Sequence, residues 1–289
     1  MLEDAHRRPS AIRRGLLWWF QPPAMPYLST SFVVDITEAR AYLRRCSALA
    51  GRKITLQHLV AAAVINVQRA FPMANARIVG RRIVRETQIG LAMPVSLLES
   101  GAPSQRELSM AVLTQAEGLS LVALAEASDR LFAAERSDTV GNPVFRLLLS
   151  AFDHLPDGPL WAGLDLVEGL RKVPAVADRL YAMVPATTGV TNPGAAVRMP
   201  PGIWLRGGAL ALPQRLGHVG SVWGVLPVQD EVVPHAGQPA VRPVLPIVYV
   251  FDHRLFDGVM AGRILHHFGQ ILLDPAAVFG EAGQRSPSS

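Results

Sequence analysis

The chain has 289 residues, of which 49% are hydrophobic and 18% charged, enough apolar content to bury a sizeable core as one large domain or two small ones. A net charge of +5 would suit a polyanion, but no basic stripe interleaved with aromatics and no DNA-binding motif occurs, which argues against nucleic acid. Cys46 is the single cysteine, so no intrachain disulfide can form, a usage that fits a reducing, cytoplasmic compartment.

In chain order, residues 1–26 read as an arm, basic, then aromatic at Trp18-Trp19-Phe20, then broken by Pro22, Pro23 and Pro26. Its apolar run is too short for a signal peptide, and its aromatics are expected to dock on the body or on a neighbouring subunit. Ser31–Asp35 reads as a strand; Thr37 is expected to cap a helix to about Ala50, with Gly51 as its stop. Cys46 falls on the apolar side of that helix and reads as a packing residue. Thr55 starts a helix, Leu56 to Ala70, that is apolar nearly all round and so expected to be buried on most faces. Strands follow at Ala76–Val79, Arg82–Glu86, Ile89–Val95 and Leu108–Leu113, with turn composition at Glu99–Arg106, and then a helix at Leu121–Ala134.

From about residue 141 to 185 the pattern changes. Apolar helical pieces at Val144–Phe152, Leu160–Leu170 and Val176–Met183 are separated by Pro156, Gly158-Pro159 and Pro174. They carry too many apolar groups for a free loop. Three placements stay open: a cover over a substrate tunnel, packing on another subunit, or contact with a membrane surface. Val219–Val228 and Val241–Val250 read as the last long strands, with a hairpin-like link between them. Val259–Leu273 reads as a helix, and 280–289 as a disordered tail. No stretch reaches the ~18–20 apolar residues of a membrane span.

Few residues carry a chemical signal. No Walker loop, dinucleotide fingerprint or G-x-S-x-G elbow is present. No metal site is expected: His266 and His267 are neighbours on a helix, and His154, His218 and His235 lack ligand partners at characteristic spacing. The informative string is Phe251-Asp252-His253-Arg254-Leu255-Phe256-Asp257-Gly258. A histidine on the turn after a buried strand is well placed for proton transfer, and an aspartate four residues later can pin the turn. His253 alone could equally be a satisfied turn residue.

The whole string D-H-R-x-x-D-G resembles the active-site signature of the dihydrolipoyl acyltransferase catalytic domain of 2-oxoacid dehydrogenase complexes, a family related to chloramphenicol acetyltransferase. Tyr27–Thr37, Phe71-Pro72-Met73-Ala74-Asn75-Ala76, Ile89-Gly90-Leu91-Ala92 and Thr187–Gly194 resemble further segments of that family, in its order. Leu108–Leu113 stands where the family has a G-L-[VI]-V-P-V strand, without its proline.

The resemblance implies an α/β fold, a two-layer sandwich of the chloramphenicol acetyltransferase type with a mixed sheet and flanking helices, over residues 27–279. It implies that His253 is the general base and Asp257 the loop anchor. Aligned on Asn192 and Gly194, Thr191 takes the place of the family's oxyanion-stabilising serine. Thr187 and Thr188 are alternative donors, and Thr191 could instead be a β-branched strand residue kept for packing. Coenzyme A is the implied acyl carrier, without metal. No lipoyl or partner-binding domain is expected in this chain, which leaves two options: acyl transfer to another acceptor, or a lipoyl arm supplied in trans. The implied assembly is a homotrimer, or a larger body of trimers, with the site shared between subunits; a charged fraction of 18% suits extra buried surface. Two rival readings are a non-catalytic structural cage subunit and acylation of a lipid-like acceptor at a membrane surface.

Overall fold

The apolar run leading into His253 becomes the centre of a mixed seven-stranded sheet. A computed structural model describes residues 27–97, 108–137, 143–196, 199–200, 202–213, 215 and 217–286. The expected arm, the turn at Glu99–Arg106, residues 141–142 of the apolar insertion and the last three residues of the tail lie outside these.

The strands are β1 (Tyr27–Asp35), β2 (Ala76–Val79), β3 (Arg82–Arg85), β4 (Leu91–Ser96), β5 (Leu108–Leu113), β6 (Thr188–Thr191), β7 (Ser221–Val225), β8 (Gln229–His235) and β9 (Gln238–Asp252). The sheet order is β1-β9-β7-β6-β4-β5, with β8 paired to the first half of β9. β6 runs parallel to β4 and β7, and the other pairings in this sheet are antiparallel. β2 and β3 form a separate hairpin.

Side chains alternate between the two faces of a strand. Leu245, Ile247, Tyr249 and Phe251 of β9 enter the main core with Trp223 and Val225 of β7 and Leu91 and Met93 of β4. The helices α1 (Thr37–Ala50), α2 (Leu56–Ala70), α3 (Leu121–Arg136) and α8 (Gly258–Leu273) supply its other wall. Trp223 is sandwiched between Phe268 of α8, 4.5 Å away and stacked, and Tyr249, 4.0 Å away. α2 buries residues on nearly all sides, as its composition requires. Val244 to Asp252 are all buried, because the second face of β9 is covered too. Leu210 lies against Gly224, and Ser29 and Ser31 donate hydrogen bonds to the Gly208 carbonyl, so the segment around 207–210 crosses that face.

The two-layer α/β sandwich with a mixed sheet is the expected architecture. Three local expectations need correction. Thr37 is the first residue of α1 rather than its cap: its amide and hydroxyl both donate to Asp35 Oδ1, 2.9 and 2.7 Å away, so the aspartate organises the helix start. The hairpin expected at Val228–Pro239 is present, but most of that stretch is itself the strand β8, and β9 starts at Gln238 rather than Val241. The tail docks through residues 280–286 instead of lying free: Tyr42 donates to the Gly280 carbonyl at 2.8 Å, and the Val122 amide to the Gly283 carbonyl at 3.1 Å. The proline sought in Leu108–Leu113 stands one strand earlier, at Pro94 within Gly90-Leu91-Ala92-Met93-Pro94-Val95 of β4. Cys46 is fully buried, and burial pushes its thiol pKa up, which suits packing rather than nucleophilic use.

Candidate active site

β9 ends at Asp252, and the chain turns through His253 before entering α8. The turn is held from both sides. Leu255 and Phe256 are buried, Phe256 stacks on Phe251 at 4.9 Å, and the Leu255 amide donates to the Asp252 carbonyl at 3.0 Å. This leaves the His253 ring exposed, with Phe251 in edge contact at 6.1 Å. His253 Nδ1 lies 2.9 Å from the Phe256 carbonyl oxygen. A carbonyl only accepts, so Nδ1 carries the proton and donates it; in the neutral ring Nε2 then holds the lone pair. That is the tautomer a general base requires.

Asp257 acts on the turn through the helix. Its Oδ1 accepts from the Met260 amide at 2.8 Å, which makes it the N-cap of α8. Replacing Asp257 with Ala should lower stability by about 1 kcal/mol, the usual cost of a lost cap, and reduce turnover because the base is no longer held. Thermal denaturation read beside activity checks this; an equally stable and active variant would remove the anchoring role.

The residue before His253 is the better-connected acid. Asp252 is wholly buried. Its Oδ2 accepts from His218 Nε2 at 2.8 Å and from Arg254 Nη2 at 2.6 Å, and its Oδ1 from the Arg254 amide at 2.9 Å. Burial alone would raise its pKa; the hydrogen bonds from His218 and Arg254 outweigh this and hold the carboxyl well below the usual carboxylate range. Sequence reasoning gave Asp252 no task and dismissed His218. Asp252 did carry a signal, being an acid inside a chemically informative string; His218 carried none.

Thr191 closes β6. It is one of the residues lining a cavity on the sheet face away from the main core. The fallback donors are engaged elsewhere: Thr187 donates to Asn75 Oδ1 at 2.7 Å and accepts from Gln68, and Thr188 donates to the Ser221 carbonyl at 3.0 Å. Gly194 fits this corner because a Cβ there would fall 2.5 Å from the Leu226 carbonyl carbon. The structure does not bring Thr191 and His253 of one chain together. Thr191 is level with Gly224 on β7 and Val248 on β9, five residues short of His253. Strand geometry therefore separates the two by roughly 15–20 Å.

The apolar insertion forms three helices, α4 (Pro143–His154), α5 (Asp157–Leu170) and α6 (Pro174–Met183). They roof a cavity of about 560 Å³ over β4, β5, β6 and β7. Leu148, Leu164 and Leu180 form part of its roof, and Ala92, Met110 and Val222 part of its floor. Arg77 of β2 ties the roof down: it pairs with Asp178 of α6 at 2.5 Å, and its guanidinium lies 4.7 Å from the Tyr181 ring centroid. Of the three placements open for this segment, the structure has the cover over a cavity. Among the described residues, no helix is long and apolar enough to cross a membrane, and no three His, Cys, Asp or Glu side chains converge as metal ligands.

Comparison with known proteins supports the fold. A family model described as 2-oxoacid dehydrogenases acyltransferase (catalytic domain) matches residues 22–142 and 220–280. His253, Asp252 and Asp257 lie inside the match; Thr191, His218 and α4–α6 lie in the unmatched stretch between the two parts. The fold is similar to a structure of the cubic core of the pyruvate dehydrogenase multienzyme complex, with 19% identity, a TM-score of 0.63, and coverage of 92% of this chain and 87% of that one. A dihydrolipoamide acetyltransferase from Azotobacter vinelandii gives the same figures, 19%, 0.63, 92% and 87%. A truncated catalytic core of the 2-oxoacid dehydrogenase multienzyme complex from Thermoplasma acidophilum follows at 18% identity and a TM-score of 0.57, covering 87% of this chain and 89% of that chain.

Proposed function

Because this chain belongs to the family of 2-oxoacid dehydrogenase acyltransferase catalytic domains, we propose that it transfers an acyl group directly from coenzyme A to an acceptor thiol, hydroxyl or amine, with His253 as general base. The observation that carries this reading is the hydrogen bond from His253 Nδ1 to the Phe256 carbonyl, which leaves Nε2 basic and exposed. Nε2 takes the acceptor's proton as the acceptor attacks the thioester carbonyl. The tetrahedral oxyanion collapses, the C–S bond breaks, and the departing coenzyme A thiolate recovers the proton from His253. The work on the Azotobacter vinelandii enzyme concerns the catalytic role of a serine, a histidine and an asparagine four positions beyond that histidine, the spacing that separates His253 from Asp257 here.

Thr191 supplies the oxyanion donor, and it does so to a neighbouring chain. Two features support a shared site: the separation of Thr191 from His253 along the sheet, and exposed apolar residues such as the paired Val232 and Val241 of the β8–β9 hairpin, which an assembly would cover. The expected assembly is a homotrimer or a body of trimers. Thr191→Ser should be tolerated, and Thr191→Val should slow turnover by roughly 10–10³-fold. Mixing inactive His253→Ala subunits with Thr191→Val subunits should restore part of the activity, because some interfaces then pair an intact His253 with an intact Thr191. No recovery in verified mixed oligomers, or a strictly monomeric protein, would overturn the shared site. Native mass spectrometry with a panel of acyl-CoAs tests the donor. Intact assemblies that neither bind nor turn over any of them would favour the structural-subunit reading.

A further inference from the structure

The cavity under α4–α6 holds polar groups that the proposed transfer reaction does not use. His218 lies in its wall with only 8% of its side chain exposed. Its Nε2 faces Asp252, an ionised carboxylate that can only accept, so Nε2 carries a ring proton, and in the neutral imidazole Nδ1 is then the acceptor. That Nδ1 is buried and has no partner among the described residues. Tyr181, on the roof, repeats the pattern: its hydroxyl is also buried without a partner, and burial pushes its pKa up to about 12, so it stays a neutral donor. Buried polar atoms are seldom left unmatched, and both belong to residues that line this cavity, so a small turn of either side chain would present it to a molecule bound there.

The wall also limits what that molecule is. The three arginines of the lining are already neutralised, Arg77 by Glu86 and Asp178, Arg171 by Glu168, and Arg215 by Asp165. An anionic head group finds no spare counter-charge there. An amine enters as a cation and loses its hydration to an otherwise apolar wall. A thiol donates a hydrogen bond only weakly. A hydroxyl is neutral, donates to Nδ1 and accepts from a phenol. At about 560 Å³ the cavity is in the range of ordinary small-molecule sites.

We propose that the cavity beneath α4–α6 is a binding site for a neutral, largely apolar alcohol whose hydroxyl donates a hydrogen bond to Nδ1 of His218. His253 is not part of the cavity lining, although Thr191, the donor proposed for the transfer reaction, is; binding of the alcohol stands whether or not His253 acts as a base.

The test measures binding by the full chain and needs no acyl transfer. Isothermal titration with 1-decanol, decyl methyl ether and decanoate, in separate runs, should show saturable binding of one decanol per chain. The ether, which has no proton to donate, and decanoate should each bind about tenfold more weakly. In histidine labelled with ¹⁵N, decanol should shift the Nδ1 resonance of His218 and leave Nε2 as the protonated nitrogen. Leu164→Trp, which fills the cavity from the roof, should abolish binding; His218→Leu should keep the ether and lose the preference for the alcohol. Should His218→Leu fail to fold, the comparison of ligands on the unaltered chain still decides. Equal affinity for alcohol and ether, tighter binding of decanoate, or no saturable decanol binding would each overturn the proposal.

Discussion

His253→Ala should lose about 10²–10⁴-fold in acyl transfer while keeping the fold, the range expected when a general base is removed. The fold should survive because the ring is exposed and its one hydrogen bond is to a carbonyl that solvent can reach in its absence. The packing of the turn rests on Leu255, Phe256 and Phe251. His253→Gln is the sharper variant: it can still donate to the Phe256 carbonyl but offers no basic nitrogen. Single-turnover transfer to a defined thiol acceptor, with circular dichroism to confirm folding, reads the effect. Full activity in either variant would sink the assignment.

Asp252→Asn should have the larger effect on stability, about 2–4 kcal/mol at neutral pH. Removing one member of a buried ion pair costs about 3–5 kcal/mol when a charge is left stranded. Here the penalty is softened, because Arg254 is 49% exposed and can hydrate. The sign of the pH dependence follows from the depressed carboxyl. Its stabilisation is fully present above the unfolded aspartate pKa of about 4 and is lost as pH falls through the folded value. The gap between wild type and Asp252→Asn should therefore hold from neutral pH down to about 4 and narrow below it. Denaturant midpoints at several pH values measure this; a gap independent of pH, or none at neutral pH, would refute the role of the carboxylate. Activity should fall as well, since the Asp252 carboxylate holds the guanidinium of Arg254, the residue after His253.

Much of this was legible in the sequence because it is local. The N-cap at Thr55, the all-round apolar pattern of α2 and the run before His253 each fix an element within a few residues of chain. The tautomer of His253 was not legible, because it depends on which carbonyl the turn presents. His218 and Asp252 are 34 positions apart and meet only because β7 and β9 pair. The separation of Thr191 from His253 is likewise a matter of strand order and register. The insertion announced itself as apolar helices, but which surface they cover depends on where the sheet leaves a face open. The tail at 280–286 has the composition of a free end and docks because Tyr42 and the start of α3 offer its backbone partners.

That docked tail makes the chain's redox chemistry depend on an intact C-terminus. Gly283 is buried against Cys46, Tyr42 and Leu121, and the Glu281 carbonyl lies 3.7 Å from the Cys46 sulfur. A cut after Arg285 leaves this cover in place. A cut at Gly280 strips it off and opens the thiol to oxidants. With a single cysteine per chain, the disulfide that follows joins two molecules. Covalent dimers in an ageing preparation would then report proteolysis first and oxidation second.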